Sequence, residues 1–340
     1  MSAEQGVPAP IQFDPVVVGD LDNDDASSDA ASLRESTASL SSSIRDYRTL
    51  YGRTYQTSNT TDYWAPNDEK QLEGFDVTHH YTLMLMKDKL FAAPVEKRNR
   101  MKILDIGTGT GIWAIDVADE FPDAEVIGTD ISAVQPSWVP PNCHFQIDDA
   151  QLDWTFKKDF NFIHIRNLYG SIDDWQRLYN QAFEHLEPGG WFENMEFDIQ
   201  TRSENPAVES DPNHIYKRWS PLFWEAGDIT GRTFRIAQDD RMERYMREAG
   251  FVDVQRKVYK VPIGGWPRDP DLKQIGYYSG LFMDQSLDGW ALLPIGEILG
   301  WTYEEIMVLV GEMRSALRDP KTLPYFNFHL VYGRKPEAEK

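Results

Sequence analysis

Lys102-Ile-Leu-Asp105-Ile-Gly107-Thr-Gly109-Thr-Gly111-Ile-Trp-Ala-Ile-Asp-Val-Ala-Asp-Glu120 is the stretch that decides the fold. It opens with a short apolar run, the mark of a strand buried on both faces. Three glycines at alternate positions follow, and residues 112–120 then have helical character. Glycine permits the sharp turn after a strand and lets a ligand approach the backbone with no Cβ in the way. The free N–H groups and positive end of the next helix then face that ligand. Strand, glycine loop and helix in this order form the ligand-binding corner of an open α/β sheet.

Outward from this corner the rhythm continues. Residues 125–129, 144–147, 160–166 and 191–197 read as strands, and 175–186 as an amphipathic helix closed by Glu187-Pro-Gly-Gly190. The alternation predicts an α/β fold, a mostly parallel sheet covered by helices on both faces. Past Phe197 the pattern changes to a polar loop, helices over 213–226 and 239–249, and a strand over 252–261. An aromatic-rich stretch with a helix at 303–318 and a last strand over 326–332 complete the chain. We therefore expect one domain over residues 101–336, with cap insertions around 198–250 and 264–322. Residues 46–100 read as a helical lid. Its main helix, over 68–91, has Leu72, Phe75, Val77, His80, Leu83 and Met84 at helical spacing. Residues 1–45, acidic and rich in Ser, Asp and Ala, read as a disordered tail.

Composition narrows the function. The 340 residues carry a net charge of −21, which repels phosphate backbones and speaks against a nucleic-acid substrate. Cys143 is the single cysteine, so neither a disulfide framework nor a cysteine zinc site is expected, and a reducing compartment fits. No run approaches the length of a membrane helix and no leader pattern opens the chain. A cytoplasmic location is expected, with the nucleus as the alternative. The sequon at Asn59 reads as chance. No His, Asp or Glu set has metal-ligand spacing, so no metal is expected.

Three carboxylates give the glycine corner its specificity. A dinucleotide site wants a further small residue three places after Gly109, where Ile112 stands instead. Asp105, just before the glycines, would oppose a pyrophosphate and suits a cation such as the amino group or sulfonium of S-adenosylmethionine. Asp130 closes the next strand, followed by Ile131, and is placed to accept from both ribose hydroxyls. Asp148-Asp149-Ala150 follows the third strand, where an acceptor meets an adenine amino group. Gly107, Gly109, Gly111 and Asn167, the last at the end of the fourth strand, complete the expected cofactor set.

These residues resemble the LaeA-like methyltransferases of filamentous fungi. The likeness is carried by Asp105-Ile-Gly-Thr-Gly-Thr-Gly111 with the helix behind it and by Ile131-Ser-Ala-Val-Gln-Pro136. Gly170-Ser-Ile-Asp-Asp-Trp175 and the closing Tyr332-Gly-Arg-Lys-Pro336 add to it. The resemblance spans roughly residues 47–336. It implies the Rossmann-like class I methyltransferase fold, seven strands with the last antiparallel, and S-adenosylmethionine as cofactor. By position it implies that Asp105, Gly107, Gly109, Asp130, Asp149 and Ala150 contact that cofactor. Family members include enzymes of secondary metabolism and nuclear regulators that act with velvet-type proteins. Both a small-molecule acceptor and a velvet-type partner are therefore carried as expectations. Methyl transfer needs alignment more than acid–base help, so candidates for a base are few. His80 on the lid helix and Glu196 at the fifth long strand are the two retained. The aromatics of the cap, among them Trp219, Phe223, Trp266, Phe282 and Trp290, read as core or as the wall of an apolar acceptor pocket.

Overall fold

A computed structural model describes residues 8–19, 47–58, 60–61 and 63–338; most of the expected tail and Asn59 lie outside the described residues. In chain order the elements begin with α1 (Pro15–Gly19), β1 (Arg48–Leu50), β2 (Arg53–Tyr55), α2 (Glu69–Leu85), β3 (Lys102–Ile106) and α3 (Ile112–Glu120). They continue with β4 (Glu125–Asp130), β5 (Cys143–Ile147), β6 (Phe160–Arg166), α4 (Trp175–His185), β7 (Leu186–Phe197), β8 (Arg202–Ser203) and α5 (Pro206–Glu209). The chain closes with α6 (Ile215–Thr230), α7 (Arg241–Glu248), β9 (Val252–Pro262), α8 (Pro270–Ala291), α9 (Tyr303–Arg318) and β10 (Pro324–Arg334).

The main sheet runs β5-β4-β3-β6-β7-β10, with β9 on the far side of β10 and the two-residue β8 pairing the start of β10. Strands β3 to β7 are parallel, whereas β10 is antiparallel to β7 and to β9. This is the expected seven-stranded class I methyltransferase sheet with one short extra strand. β3 is central, and the chain leaves it towards β4 on one side and β6 on the other. That reversal opens a crevice at the carboxyl ends of β3 and β6. Two apolar layers flank the sheet. One holds Ile103, Trp113, Val117 and Phe162 under α3, and the other holds Leu104, Ile163 and Ile165 beneath the cap.

Four readings need correction. Glu187-Pro-Gly-Gly190 is not a turn between elements. It enters β7, with Gly190 packed close to the Phe160 and Glu187 carbonyls and the register with β6 shifting beside it. The insertion holds the 22-residue helix α8, continued by a π-helical stretch Leu292–Ile298 that contains Pro294, which lacks an N–H to donate. Residues 8–19 are docked rather than free. Ile11 packs with Trp266 and Leu323, the Asp14 amide donates to the Trp266 carbonyl at 2.7 Å, and Lys273 meets the Asp14 carboxylate at 2.6 Å. The lid helix α2 is shorter than expected and turned about its axis. It buries Gln71, Gly74, Thr78, His79, Tyr81 and Thr82, and leaves His80 exposed. A small-residue face can lie close to α8: a Cβ on Gly74 would stand 3.1 Å from the Phe282 ring. The buried hydroxyls are satisfied along the helix, Thr78 donating to the Gly74 carbonyl and Thr82 to that of Thr78. Among the described residues no helix is long and apolar enough to cross a membrane.

Candidate functional site

The crevice is a cleft partly open to solvent and lined from three directions. The glycine loop supplies Asp105, Gly107, Thr108 and Gly109. The ends of β4, β5 and β6 supply Asp130, Ile131, Asp149, Ala150, Arg166 and Asn167, and the lid supplies Tyr63, Leu72, Phe75 and Thr78. Leu72 and Phe75, expected to pack into protein, therefore face the cleft.

At the centre the Asp105 carboxylate is already engaged. Oδ2 accepts from Thr108 Oγ1 at 2.6 Å, and Oδ1 lies 2.7 Å from His164 Nδ1. Burial lowers the pKa of His164 more than Asp105 raises it, so the ring is neutral and Nδ1–H donates. The ring also stacks on Trp113 with centroids 3.7 Å apart. His164 is thus a packed, oriented core histidine that fixes the carboxylate. Gly107, Gly109 and Gly111 all hold positive φ. Their surroundings differ. A Cβ on Gly107 would strike Leu168 and one on Gly111 would strike the Phe145 ring, whereas at Gly109 only Phe75, at 4.0 Å, is near. Gly109 is the open point of the cradle; Gly111 is absent from the cleft wall and caps α3.

Asp130 is held by two backbone donors, Gly109 N–H to Oδ2 at 2.8 Å and Ser132 N–H to Oδ1 at 2.9 Å. Burial still pushes its carboxyl up to about 6. Asp149 accepts from the Gln151 amide on Oδ1, while Oδ2 is buried with no partner. Asn167 Oδ1 and Ser171 Oγ, also on the cleft wall, are likewise buried and unpartnered. Asn167 adopts φ of 60°, a left-handed conformation that asparagine tolerates better than most side chains and that clusters at functional sites. Buried polar atoms without partners are rare, and three on one wall mark a surface built for a polar ligand.

Behind Tyr63, Phe75, Thr78 and Asn167 lies a small inner chamber among the core aromatics Trp64, Tyr169, Phe197, Phe282, Trp290 and Phe328, with room for no more than about one water. Trp64 is fixed by donating from Nε1 to the Tyr169 carbonyl at 2.8 Å. The lid is tied to the cofactor corner by Thr110 Oγ1 donating to Asp76 at 2.7 Å and by His79 against Asp116 at 2.8 Å.

The two acid–base candidates are not in this space. His80 is on the outer face of α2 with its ring edge-on to Tyr278, because the helix turns His79 inward instead. Glu196 is fully buried and accepts from the backbone N–H groups of Leu168 and Tyr169, at 3.2 and 2.9 Å. Burial pushes its carboxyl up to about 8. It fixes the loop after β6 and lines neither cleft nor chamber. Arg166 and Ser171 were missed from sequence. The signal for Arg166 was its place two residues beyond His164, on the same face of one strand. Among the described residues no group of three or more His, Cys, Asp or Glu could hold a metal ion.

A family model described as a methyltransferase domain matches residues 77–256. Methyltransferase pytC of Aspergillus terreus is 37% identical over 311 residues, 91% of this chain and 94% of that protein. Secondary metabolism regulator LAE1 of Cochliobolus heterostrophus is 34% identical over 84% of this chain and 94% of its own length. Secondary metabolism regulator laeA of Aspergillus fumigatus is 31% identical over 84% of this chain and 76% of its own.

Proposed function

This chain belongs to the LaeA-like family of S-adenosylmethionine-dependent methyltransferases, and from that premise we propose that it methylates a small, apolar molecule seated in the cleft against the lid side chains Tyr63, Leu72 and Phe75. The family's cofactor fits the residues present. Asp130, already oriented by two amides, would take the ribose hydroxyls. The unpartnered Asp149 Oδ2 would take the adenine amino group beside Ala150 and Ile131, and the space over Gly109 and Gly107 would let the ligand lie against the backbone. Asn167 Oδ1 and Asp105 face the amino-acid end. Bound there, S-adenosylmethionine supplies a methyl group already activated on a sulfonium sulfur. The protein's part is to align the acceptor, with Leu72 and Phe75 of the lid excluding water.

The observation that carries the proposal is the two-sided lining of the cleft: carboxylates and unpartnered polar atoms on the sheet side, and Tyr63, Leu72 and Phe75 on the lid side. An apolar wall with two rings favours an acceptor with an apolar or ring face. Incubation with labelled S-adenosylmethionine and a fractionated extract tests this. Label in the apolar low-mass fraction is the expected result; label confined to protein would sink the proposal.

The names of the LAE1 and laeA relatives favour one further reading, a regulator of secondary metabolism, to which the family resemblance adds the nucleus and a velvet-type partner. Localisation and partner recovery separate the two. A nuclear protein recovered with a velvet-type partner, and methylating no small molecule, would replace the enzyme reading, whose expected location is the cytoplasm.

A further inference from the structure

Among the described residues Arg166 is the one cationic side chain lining the cleft, whose other charged groups are Asp105, Asp130, Asp148 and Asp149. It ends β6 two positions past His164 and so projects from the same face of the sheet. Its one hydrogen bond runs from Nη2 to His79 Nδ1 at 3.2 Å. His79 in turn meets Asp116 through Nε2 at 2.8 Å. Burial holds His79 below its ordinary pKa, so the ring is neutral, with Nδ1 accepting and Nε2–H donating. The guanidinium is thus positioned by a neutral group, and no described carboxylate forms an ion pair with it. Asp105, Asp116 and Glu193 act on it only through space. The side chain is half-buried on the cleft wall, so its remaining N–H donors are available to a ligand there.

Asp105 is paired in register with His164, so this anion and Arg166 flank the same end of the cleft. An α-amino acid presents an ammonium and a carboxylate on one carbon, and the two side chains match that pair in sign. We propose that Arg166 is the anion subsite of the cleft and takes the α-carboxylate at the amino-acid end of the cofactor, with Asp105 on the ammonium side. The inference rests on the reading that this cleft holds S-adenosylmethionine. A carboxylate on the acceptor would be the other source of this chemistry, and the decarboxylated cofactor analogue separates the two. Planar guanidinium suits a carboxylate because two parallel N–H groups meet its two oxygens.

Calorimetric affinities of three ligands test the assignment without turnover: S-adenosylhomocysteine, its decarboxylated analogue, and 5′-methylthioadenosine, which lacks the whole amino-acid end. Wild type is expected to lose about 10- to 100-fold in affinity when the carboxylate is removed, as charge-assisted hydrogen bonds are worth. Arg166→Gln should bind the first two ligands within about threefold of each other and 5′-methylthioadenosine as wild type does. Arg166→Lys should recover part of the preference. Wild type indifferent to the carboxylate overturns the inference, however the variants fold. So does Arg166→Gln weakening all three ligands alike, which would mark a purely structural cation. Failure of wild type to bind any of the three would instead strike the cofactor reading, and this inference with it.

Discussion

Asp130 shows how a single carboxylate can be both built in advance and sensitive to pH. Its two backbone donors orient it, yet burial raises its carboxyl to about 6. Ribose hydroxyls would donate to the charged form and expel the proton. Affinity for S-adenosylhomocysteine should therefore be flat above about pH 7 and about tenfold weaker at pH 5, the loss expected when binding must displace a proton from a group of that pKa. Asp130→Ala should weaken binding by about 1–3 kcal/mol at pH 7, and Asp130→Asn should abolish the pH dependence. Calorimetry across pH 5–8 checks all three; an unchanged slope in Asp130→Asn would place the ribose elsewhere. The order of Asp105, Asp130 and Asp149 was legible because each stands at or just past the carboxyl end of a strand, and position there fixes direction. What each carboxylate already touches was not legible. The sequence cannot say that Thr108 and His164 occupy Asp105 while one oxygen of Asp149 has no partner.

The element whose reading matters most is α2, and there the hydrophobic pattern misled. Its apolar side chains Leu72 and Phe75 face a ligand cleft together with Thr78, while Gly74 lies against Phe282 of α8 and Gln71 and Thr82 are buried. Periodicity reports that a helix has an apolar face, not whether protein or ligand covers it. The same rotation turned His79 inward against Arg166 and Asp116 and left His80 outside, since neighbours on a helix point about 100° apart. Likewise α8 was hidden by Gly276, Gly280 and Gly289, poor helix formers retained for close packing. A Cβ on Gly276 would stand 2.1 Å from the Gly264 carbonyl, a backbone atom with little freedom to yield. Gly276→Ala should lower stability by about 1–3 kcal/mol, read as a fall in denaturant midpoint, although alanine favours helix. The lid makes a second prediction. Phe75 stands between cleft and chamber, so Phe75→Ala should speed release of S-adenosylhomocysteine by about tenfold or more through lost burial. Stopped-flow dissociation measures this, and wild-type kinetics in the variant would show that α2 does not cover the ligand.

Across the whole molecule, the buried carboxyls set a pH dependence of stability opposite to that of an ordinary ion-paired acid. Burial raises Glu193 to about 7 and Glu196 to about 8, each held by two backbone N–H groups. A folded-state pKa above the unfolded value means that the folded chain binds more protons between the two. Stability is then full below about pH 4.3, the unfolded glutamate value, and falls as pH rises through the folded pKa values. Asp198 works the other way. Burial opposes its ionisation, yet His329 and Arg202 hold it down to about 2, so its contribution is present above about pH 4 and is lost towards pH 2. The net charge of −21 adds repulsion on the alkaline side as acids ionise. The melting temperature should therefore peak near pH 5 and decline steadily to pH 8. Glu196→Gln separates burial from general repulsion, because it removes one titrating group while keeping the side chain's size. It should lower the melting temperature at pH 5, where a backbone amide loses its acceptor, and flatten the decline between pH 6 and 8. A decline of unchanged steepness would mean that Glu196 titrates in its ordinary range. The carboxylate fixing the loop beside Asn167 would then be charged at neutral pH, and the site would carry one more negative charge than the geometry described here implies.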